Sequence, residues 1–534
     1  MGRQARTETS VVIGAIDPRA VGARRWWALG ALTLAVLAVG LDGTILSVAL
    51  PTLARALHAS ESNLQWFSSS YLLVLAAAML PAGLLGDRYG RKKVLLCSLA
   101  LFALGSAACA AAPSSDAFIA ARVLLGVAGA GIIVMSLSAL TVLFTKEERP
   151  RAVGIWAVAN FVALPIGPIL GGWLLTHYWW GWVFLINVPV ALIGLIAGLA
   201  LLPESRAARR PGLDVVGIAA SIAGLVALIY GLIEAGQHGW SDSVALVSMA
   251  AGLGILAAFF VWERRLSRQP GGQPLVDVAL FGSQSYTWGV ILAAVAMLAL
   301  IGVLFTLPQY FQGVLGANAM GSGLRLLPLI GGLVVGAVPA AQIVRRVGAK
   351  VVVALGFAML ASGLLTGSAT SVTSSGTFVA AWMALAGAGM GLATATATSA
   401  ALSELSEQQS GVGSAVLQAL NKTGGPLGTA ILGSVLSSTY IAHLALTGVP
   451  AAAATAARQS IFGAAAAAAQ IHSSALLDSA RAAFVSGMDL ALIVSGAVAL
   501  AGVLLAAIFF PRTSALNATP ERPAGKEVAV IAAG

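Results

Sequence analysis

The chain has 534 residues, of which 58% are hydrophobic and only 9% charged, and its mean hydropathy is +0.91. Soluble domains carry about 25% charged residues, so a water-soluble enzyme or binding module is excluded and a bilayer is the expected solvent. The net charge of +10 would suit nucleic acid, but the placement of the charges, described below, argues against it.

The first 25 residues are polar and Arg-bearing and read as a tail. The apolar run that follows is too long for a signal-peptide core and has no convincing cleavage site. Fourteen apolar runs are predicted in all, at 26–50, 64–85, 94–112, 117–144, 153–176, 182–202, 213–234, 243–262, 286–310, 322–344, 350–368, 376–402, 411–437 and 483–510. Crossing a bilayer takes roughly 20 apolar residues. The backbone must satisfy its own hydrogen bonds in lipid, so each run is expected to be a helix. The fold class is therefore an all-α membrane protein. The Ala-rich stretch 438–482 reads as a weakly amphipathic helix outside the membrane, not a fifteenth span.

Within the first run, Asp42 stands where an ionised, unpaired carboxylate costs a few kcal/mol or more. A carboxylate in a membrane is the simplest proton carrier, and bonding to a neighbouring helix is the plainer alternative. After the second run comes Gly83-Leu84-Leu85-Gly86-Asp87-Arg88-Tyr89-Gly90-Arg91-Lys92-Lys93. Its glycines permit a tight turn, and Asp87 can sit at a helix N-terminus, worth roughly 0.3–1 kcal/mol. Cys97 and Cys109 share the third run and cannot pair with each other. The fourth run holds Arg122, a permanent cation with five donors that could orient or tune Asp42. The fifth holds Pro165-Ile166-Gly167-Pro168-Ile169-Leu170-Gly171-Gly172, which should bend the helix and let another pack closely. Glu234 and Asp489 fall near the ends of their runs as possible secondary acids, and the thirteenth run carries Gln418, Asn421 and Lys422. The five histidines lack ligand spacing, and no strand precedes the glycines of 126–131. No metal, cofactor or nucleophile motif is therefore expected, and the chain is not expected to be an enzyme.

The chain repeats itself. Ile343-Val344-Arg345-Arg346-Val347-Gly348-Ala349-Lys350 echoes the Gly83–Lys93 loop, and Gly425-Pro426-Leu427-Gly428 echoes the fifth run. Gly90 to Pro168 and Gly348 to Pro426 are both 78 residues. Two six-helix units are expected, 26–203 and 286–510, with two extra spans at 204–285 and tails at 1–25 and 511–534. If both tails share a side, that side holds 24 of the 30 Lys and Arg residues. By the positive-inside rule the tails are cytoplasmic, which explains the basic balance without nucleic acid.

This layout resembles the major facilitator superfamily, whose repeated halves rock about a midplane site. Gly83–Lys93 matches the superfamily's loop signature closely. Phe118–Gly126 resembles its fourth-span motif. Ala163–Gly172 resembles the fifth-span motif of drug:proton antiporters, with Ala163 in place of the leading glycine. Leu41–Pro51 resembles the first-span motif of the fourteen-span, QacA-like and EmrB-like subfamily. The resemblance implies proton-coupled export of small amphipathic drugs or antibiotics across the cell membrane. It implies proton coupling through Asp42 and Arg122, a gating loop of Gly83, Asp87, Arg88, Gly90, Arg91 and Lys92 that latches the two halves together in the outward-facing state, and an antiporter motif of Pro165, Gly167, Pro168, Gly171 and Gly172. Where QacA-type exporters hold acids in the thirteenth span, this chain has Lys422, eleven residues in from 411. A cavity there suits neutral, zwitterionic or weakly anionic compounds better than dications. Snorkelling of Lys422 to the membrane edge is the alternative. The expected partners are a small-molecule substrate, protons and lipids, with a monomer as the unit. The competing functions are export of an endogenous metabolite or lipid on the same fold, and a membrane receptor or enzyme.

Overall fold

A computed structural model describes residues 24–145, 148–205, 214–269, 272, 274–276, 278–404 and 410–511. The two predicted tails lie outside these residues except for Arg24, Arg25 and Pro511. Some side chains within the fourth, fifth and thirteenth predicted spans, Pro165 among them, are also outside the described set. In chain order the helices are α1 (Arg24–Ala56), α2 (Glu61–Tyr89), α3 (Arg91–Ala110), α4 (Ser115–Leu143), α5 (Arg149–His177), α6 (Trp182–Leu185), α7 (Asn187–Leu201), α8 (Val215–His238) and α9 (Ser243–Arg268). There follow α10 (Gln284–Gln309), continued by a π turn Tyr310–Val314, α11 (Ala319–Arg325), α12 (Leu327–Ala337), α13 (Ala340–Val347), α14 (Ala349–Gly367), α15 (Gly376–Ser403), α16 (Ser410–His443), α17 (Ala451–Gln459), α18 (Ile461–Gln470) and α19 (Ser474–Phe509). No strand occurs among the described residues.

Twelve stretches of the described residues are long and apolar enough to cross a membrane. Two further long helices, α5 with 29 residues and α16 with 34, pack against α1 and α10. Large apolar side chains stand exposed on the flanks, as Val247 and Phe260 on α9, Ile196 on α7 and Leu504 on α19 do. Such surfaces suit lipid, not water. Many helices start at Ser or Asp caps. Ser60, Ser114 and Ser375 oxygens each accept the backbone N–H three residues on, and Asp214 and Asp242 do the same.

The sequence repeat is visible in the geometry. Gly90 (φ 116°) ends α2 and starts α3, while Gly348 (φ 84°) ends α13 and starts α14. Each donates its N–H to the carbonyl four residues back, and a positive φ is readily adopted only by glycine. The packing pairs recur in the same order. α1 packs on α5, α2 on α4, α3 on α4 and α3 on α7. Their counterparts are α10 on α16, α12 on α15, α14 on α15 and α14 on α19. The pair α8–α9 packs on itself, and α8 docks on α2 and α16.

Several predicted boundaries are corrected. The run 322–344 is not one helix but three, broken at Leu326 and at Val338–Pro339. Pro328 opens α12 and Pro339 precedes α13, and each ring removes a backbone donor from the helical ladder. The predicted single amphipathic helix in 438–482 is instead a continuation of α16, two short helices and an early start to α19. Small Ala side chains let these short helices sit close. The Tyr440 hydroxyl donates to the Ala457 carbonyl at 2.8 Å, and Ile461, Phe462 and Ala464 are buried.

Candidate functional site

Asp42 and Arg122 meet. α1 and α4 lie side by side, and Arg122 Nη1 is 2.5 Å from Asp42 Oδ2, with Asp42 2% and Arg122 0% exposed. Asn187, at the start of α7, donates its amide to the other carboxylate oxygen at 3.2 Å. The guanidinium also donates through Nε to the Phe67 carbonyl at 3.1 Å and lies 4.3 Å from the centre of the Tyr71 ring. Tyr71 is itself held by its hydroxyl, which donates to the Val39 carbonyl at 2.9 Å. Two opposite charges thus offset each other's loss of hydration, and an amide, a carbonyl and an aromatic face take up the remaining bonding capacity. The arginine that the sequence offers as able to orient Asp42 forms a closed ion pair with it inside the α1–α7 group.

The two helical groups meet through polar contacts at the end opposite Gly90. Gln309 Nε2 donates to Glu61 Oε1 at 3.2 Å, and Gln312 Nε2 donates to the Val48 carbonyl at 3.0 Å. The Ser434 hydroxyl stands 3.4 Å from Gln65 Oε1, and the hydroxyls of Ser68 and Thr429 are 3.5 Å apart. Toward Gly90 the contact turns apolar, with Leu80 of α2 packed against a cluster that includes Val416 and Leu417 of α16.

The α5 motif works on two sides. A Cβ at Gly167 would fall 2.0 Å from Thr44 Oγ1, and one at Gly171 would fall 2.9 Å from Ile45 Cγ2, so these glycines seat α1. A Cβ at Gly172 would meet the Ala319 carbonyl and Met320 Cα at 2.8 Å, and one at Gly323 would meet the Pro168 carbonyl at 2.2 Å. Gly172 and Pro168 therefore form part of the seam between the two groups. Ala163 replaces the motif's leading glycine without loss of fit, because Gly40 lies opposite it.

Several contacts of the Gly83–Lys93 loop run to its own helical group. Arg91 pairs with Asp87 at 2.9 Å, its N–H donates to the Ser205 carbonyl, and Lys92 N–H donates to Glu204 Oε1 at 3.2 Å. Lys92 Nζ donates to the Leu199 carbonyl at 2.8 Å. A Cβ at Gly90 would strike the Glu204 carboxylate at 2.5 Å, whereas one at Gly83 would make an ordinary 3.5 Å contact with Val134. Arg88 lies 5.7 Å from the Tyr89 ring centre.

On α16, helical spacing puts Gln418, Lys422, Gly425 and Thr429 on one stripe. Gly425 sits on Leu72 of α2 and Ile301 of α10, and Thr429 faces Ser68, so this stripe is turned toward the other group. Lys422 is half-buried, and no ion pair to it occurs among the described residues. Asn421 is 9% exposed, and its Oδ1 finds no donor among the described residues. Glu234 is not brought to the seam. It pairs with His238 of its own helix at 2.7 Å, and that His is 63% exposed. Asp489 lies well inside α19, which starts at Ser474. It is half-buried with Oδ1 unpartnered, close enough to act electrostatically on Tyr310.

Asn187, Tyr71, Glu61, Gln65, Gln309 and Gln312 were not singled out from the sequence. Glu61 and Gln312 stand just outside the predicted runs 64–85 and 286–310, and so read as loop. Asn187, Gln65 and Gln309 lie inside the runs 182–202, 64–85 and 286–310 and are polar residues that an apolar-run reading could have picked out. No His/Cys/Asp/Glu cluster able to hold a metal occurs among the described residues.

A family model described as Major Facilitator Superfamily matches residues 32–429. The chain is 34% identical over 396 residues to the tetracenomycin C resistance and export protein of Streptomyces glaucescens, covering 74% of this chain and 73% of that one. It is 38% identical over 306 residues to the multidrug efflux pump LfrA of Mycolicibacterium smegmatis, covering 57% and 60%. It is 31% identical over 386 residues to the multidrug resistance protein Stp of Mycobacterium tuberculosis, covering 72% and 71%. Among solved structures, an inward-facing bacterial homologue of the human lysosomal transporter Spinster matches with a TM-score of 0.65 at 15% identity, over 92% of this chain and 98% of that one. A D-xylose–proton symporter matches at 0.60 and 15%, over 91% and 98%. At such identities the solved structures speak to the fold alone. With the family model and the relatives beside the paired, repeated helices, the chain belongs to the Major Facilitator Superfamily and is a multi-pass membrane transporter of small molecules, not an enzyme.

Proposed function

We propose that this transporter exports small amphipathic drugs or antibiotics in exchange for protons, with fourteen spans and both termini in the cytoplasm. The fourteen are the twelve stretches above together with α5 and α16, which leaves α8–α9 inserted between two six-span bundles. The basic residues flanking Gly90 and Gly348 then face the cytoplasm, and the Glu61–Gln309 end faces outward. The observation that carries the proposal is the buried Asp42–Arg122 pair. A proton from outside would neutralise Asp42 and leave Arg122 with the Phe67 carbonyl and the Tyr71 face. α1 would then be released from α4, and the polar seam at the outer end would have to part and re-form as the bundles rock. The relatives' names supply the substrate class.

Asp42→Asn keeps an amide oxygen to accept from Arg122 but cannot carry a proton. In vesicles with an imposed pH gradient, this variant should lose uphill export. Downhill substrate exchange, which needs no proton, should persist. Uphill export at the native rate would falsify the proton role.

Lys422, on the stripe facing the other bundle, should set the charge preference of the substrate. A fixed cation in a low-dielectric cavity repels other cations by several kcal/mol at close range, before screening. Lys422→Gln should therefore admit ethidium-like monovalent cations that the native protein rejects, and weaken export of uncharged or anionic compounds. A transport panel that is superimposable for native and variant protein would remove Lys422 from the cavity.

A further inference from the structure

An open groove of about 670 Å³ runs between α14 and α19 at the end of the fold that carries Gly348. That volume falls within the roughly 300–1,000 Å³ of small-molecule sites. The groove exists because both helices present small side chains there, Ala354 and Ala358 of α14 and Ala507 of α19, with Val351 and Leu355 beside them. Val351 is 53% and Leu355 46% exposed, so the groove opens on the flank that suits lipid. At its Gly348 end stands Lys350, half-buried, and Arg345 and Arg346 lie exposed in the last turn of α13 just before that glycine. None of the three pairs with an acid among the described residues. The first repeat shows what this turn lacks. There, Lys92 stands two residues after Gly90, as Lys350 does after Gly348, and the segment after α7 supplies the start of α3 with acceptors. Glu204 Oε1 accepts the Lys92 N–H at 3.2 Å, and the Ser205 carbonyl accepts the Arg91 N–H at 2.9 Å. In the second repeat no side chain caps the start of α14. A helix start with a lysine on it and two arginines beside it favours an anion.

We propose that the groove between α14 and α19 binds one anionic phospholipid, with its phosphate at Lys350 and the start of α14 and one acyl chain along Ala354, Ala358 and Ala507. The phosphate takes the part that the Glu204 carboxylate plays in the first repeat. A basic mouth on an apolar groove asks for a ligand with a negative head and a hydrocarbon tail, and basic pockets at a membrane edge select such headgroups. Arg345 and Arg346 raise the positive potential around the mouth. The proposal needs only that the Gly348 turn stands at a membrane edge, whichever side that edge faces, so it does not depend on the direction of transport. None of the groove's residues takes part in the Asp42–Arg122 pair or in the seam.

The test places the full chain in phosphatidylcholine nanodiscs that hold a trace of a photoactivatable lipid, either phosphatidylglycerol or phosphatidylcholine, with a diazirine midway along one otherwise identical acyl chain. Crosslinked peptides are mapped by mass spectrometry. Phosphatidylglycerol should label residues 347–358 and 503–507 about fivefold more than phosphatidylcholine, the scale of one basic residue at an anionic surface. Lys350→Glu should erase that excess. Arg265→Glu, which reverses an exposed cation at the end of α9, should leave it unchanged. Ala354→Trp, which fills the groove, should remove the groove label for both lipids. Native labelling of the exposed face of α9 in each variant shows that the chain is still folded. Equal groove labelling by the two lipids would leave the groove to ordinary bilayer lipid or to the chain beyond Pro511 and would overturn the proposal. So would an excess that survives Lys350→Glu.

Discussion

Replacing Arg122 with leucine should destabilise the protein by about 3–5 kcal/mol, the usual cost of removing one partner from a buried ion pair. Arg122 is fully buried and makes three kinds of contact: the Asp42 carboxylate, the Phe67 carbonyl and the Tyr71 ring. Removing it leaves Asp42 with Asn187 alone to offset its lost hydration. The double variant Asp42→Asn with Arg122→Leu should recover most of that loss. No charge then remains in the pocket, and the amide introduced in place of the carboxylate can bond to Asn187. Thermal unfolding in one detergent, followed by tryptophan fluorescence, ranks the three proteins. The melting points should run native, double variant, then Arg122→Leu. The double variant should still lack pH-driven export, which separates the pair's structural role from its transport role. An Arg122→Leu protein as stable as the native one would mean that the pair is not closed in solution.

This pair also shows what the sequence makes legible. Two opposite charges inside apolar runs are rare enough to be noticed, and their pairing satisfies both, so Asp42 and Arg122 could be found together. Asn187 could not be ranked in the same way, because a single amide in a span has many uses. The centres of the spans were readable because an apolar stretch long enough for a bilayer has few other uses in a chain. The ends were not. Glu61, Gln312 and Glu263 mark places where an apolar run stops but the helix or its continuation goes on. Glu61 and Gln312 are satisfied by partners distant in sequence, Gln309 and the Val48 carbonyl, and Glu263 is satisfied on one oxygen by a connecting segment. Hydropathy is blind to such pairing. The Gly90 and Gly348 turns were visible as an echo because both need a positive φ, whereas the breaks in the run 322–344 lay in prolines that span-length reasoning passed over. The attachment of the Gly83–Lys93 loop to Glu204 and Ser205 depends on a residue 112 positions away, which local pattern does not encode.

Gly323→Val should hold the transporter open at the Glu61–Gln309 end and cut export by about a hundredfold, the scale on which an ångström of misplacement acts. The Cβ site at Gly323 is 2.2 Å from the Pro168 carbonyl, a backbone atom that cannot swing aside. α5 and α11 would have to separate, and this seam belongs to the same end as the contacts of Gln312 with Val48 and of Gln65 with Ser434. Gly167→Val is the control. Its Cβ meets Thr44 and Ile45 of α1 within the first bundle, so it should lower stability without biasing the seam. The reporter is Ser68→Cys, at a position that faces Thr429 across the seam, in a background with the exposed Cys97 changed to Ser. A membrane-impermeant maleimide added from outside should label this introduced thiol at least tenfold faster in Gly323→Val than in the parent, and at the parental rate in Gly167→Val. Parental labelling together with undiminished export in Gly323→Val would show that α5 and α11 need not touch during the cycle. The glycine at 172 would then be a packing convenience, not part of a closing surface.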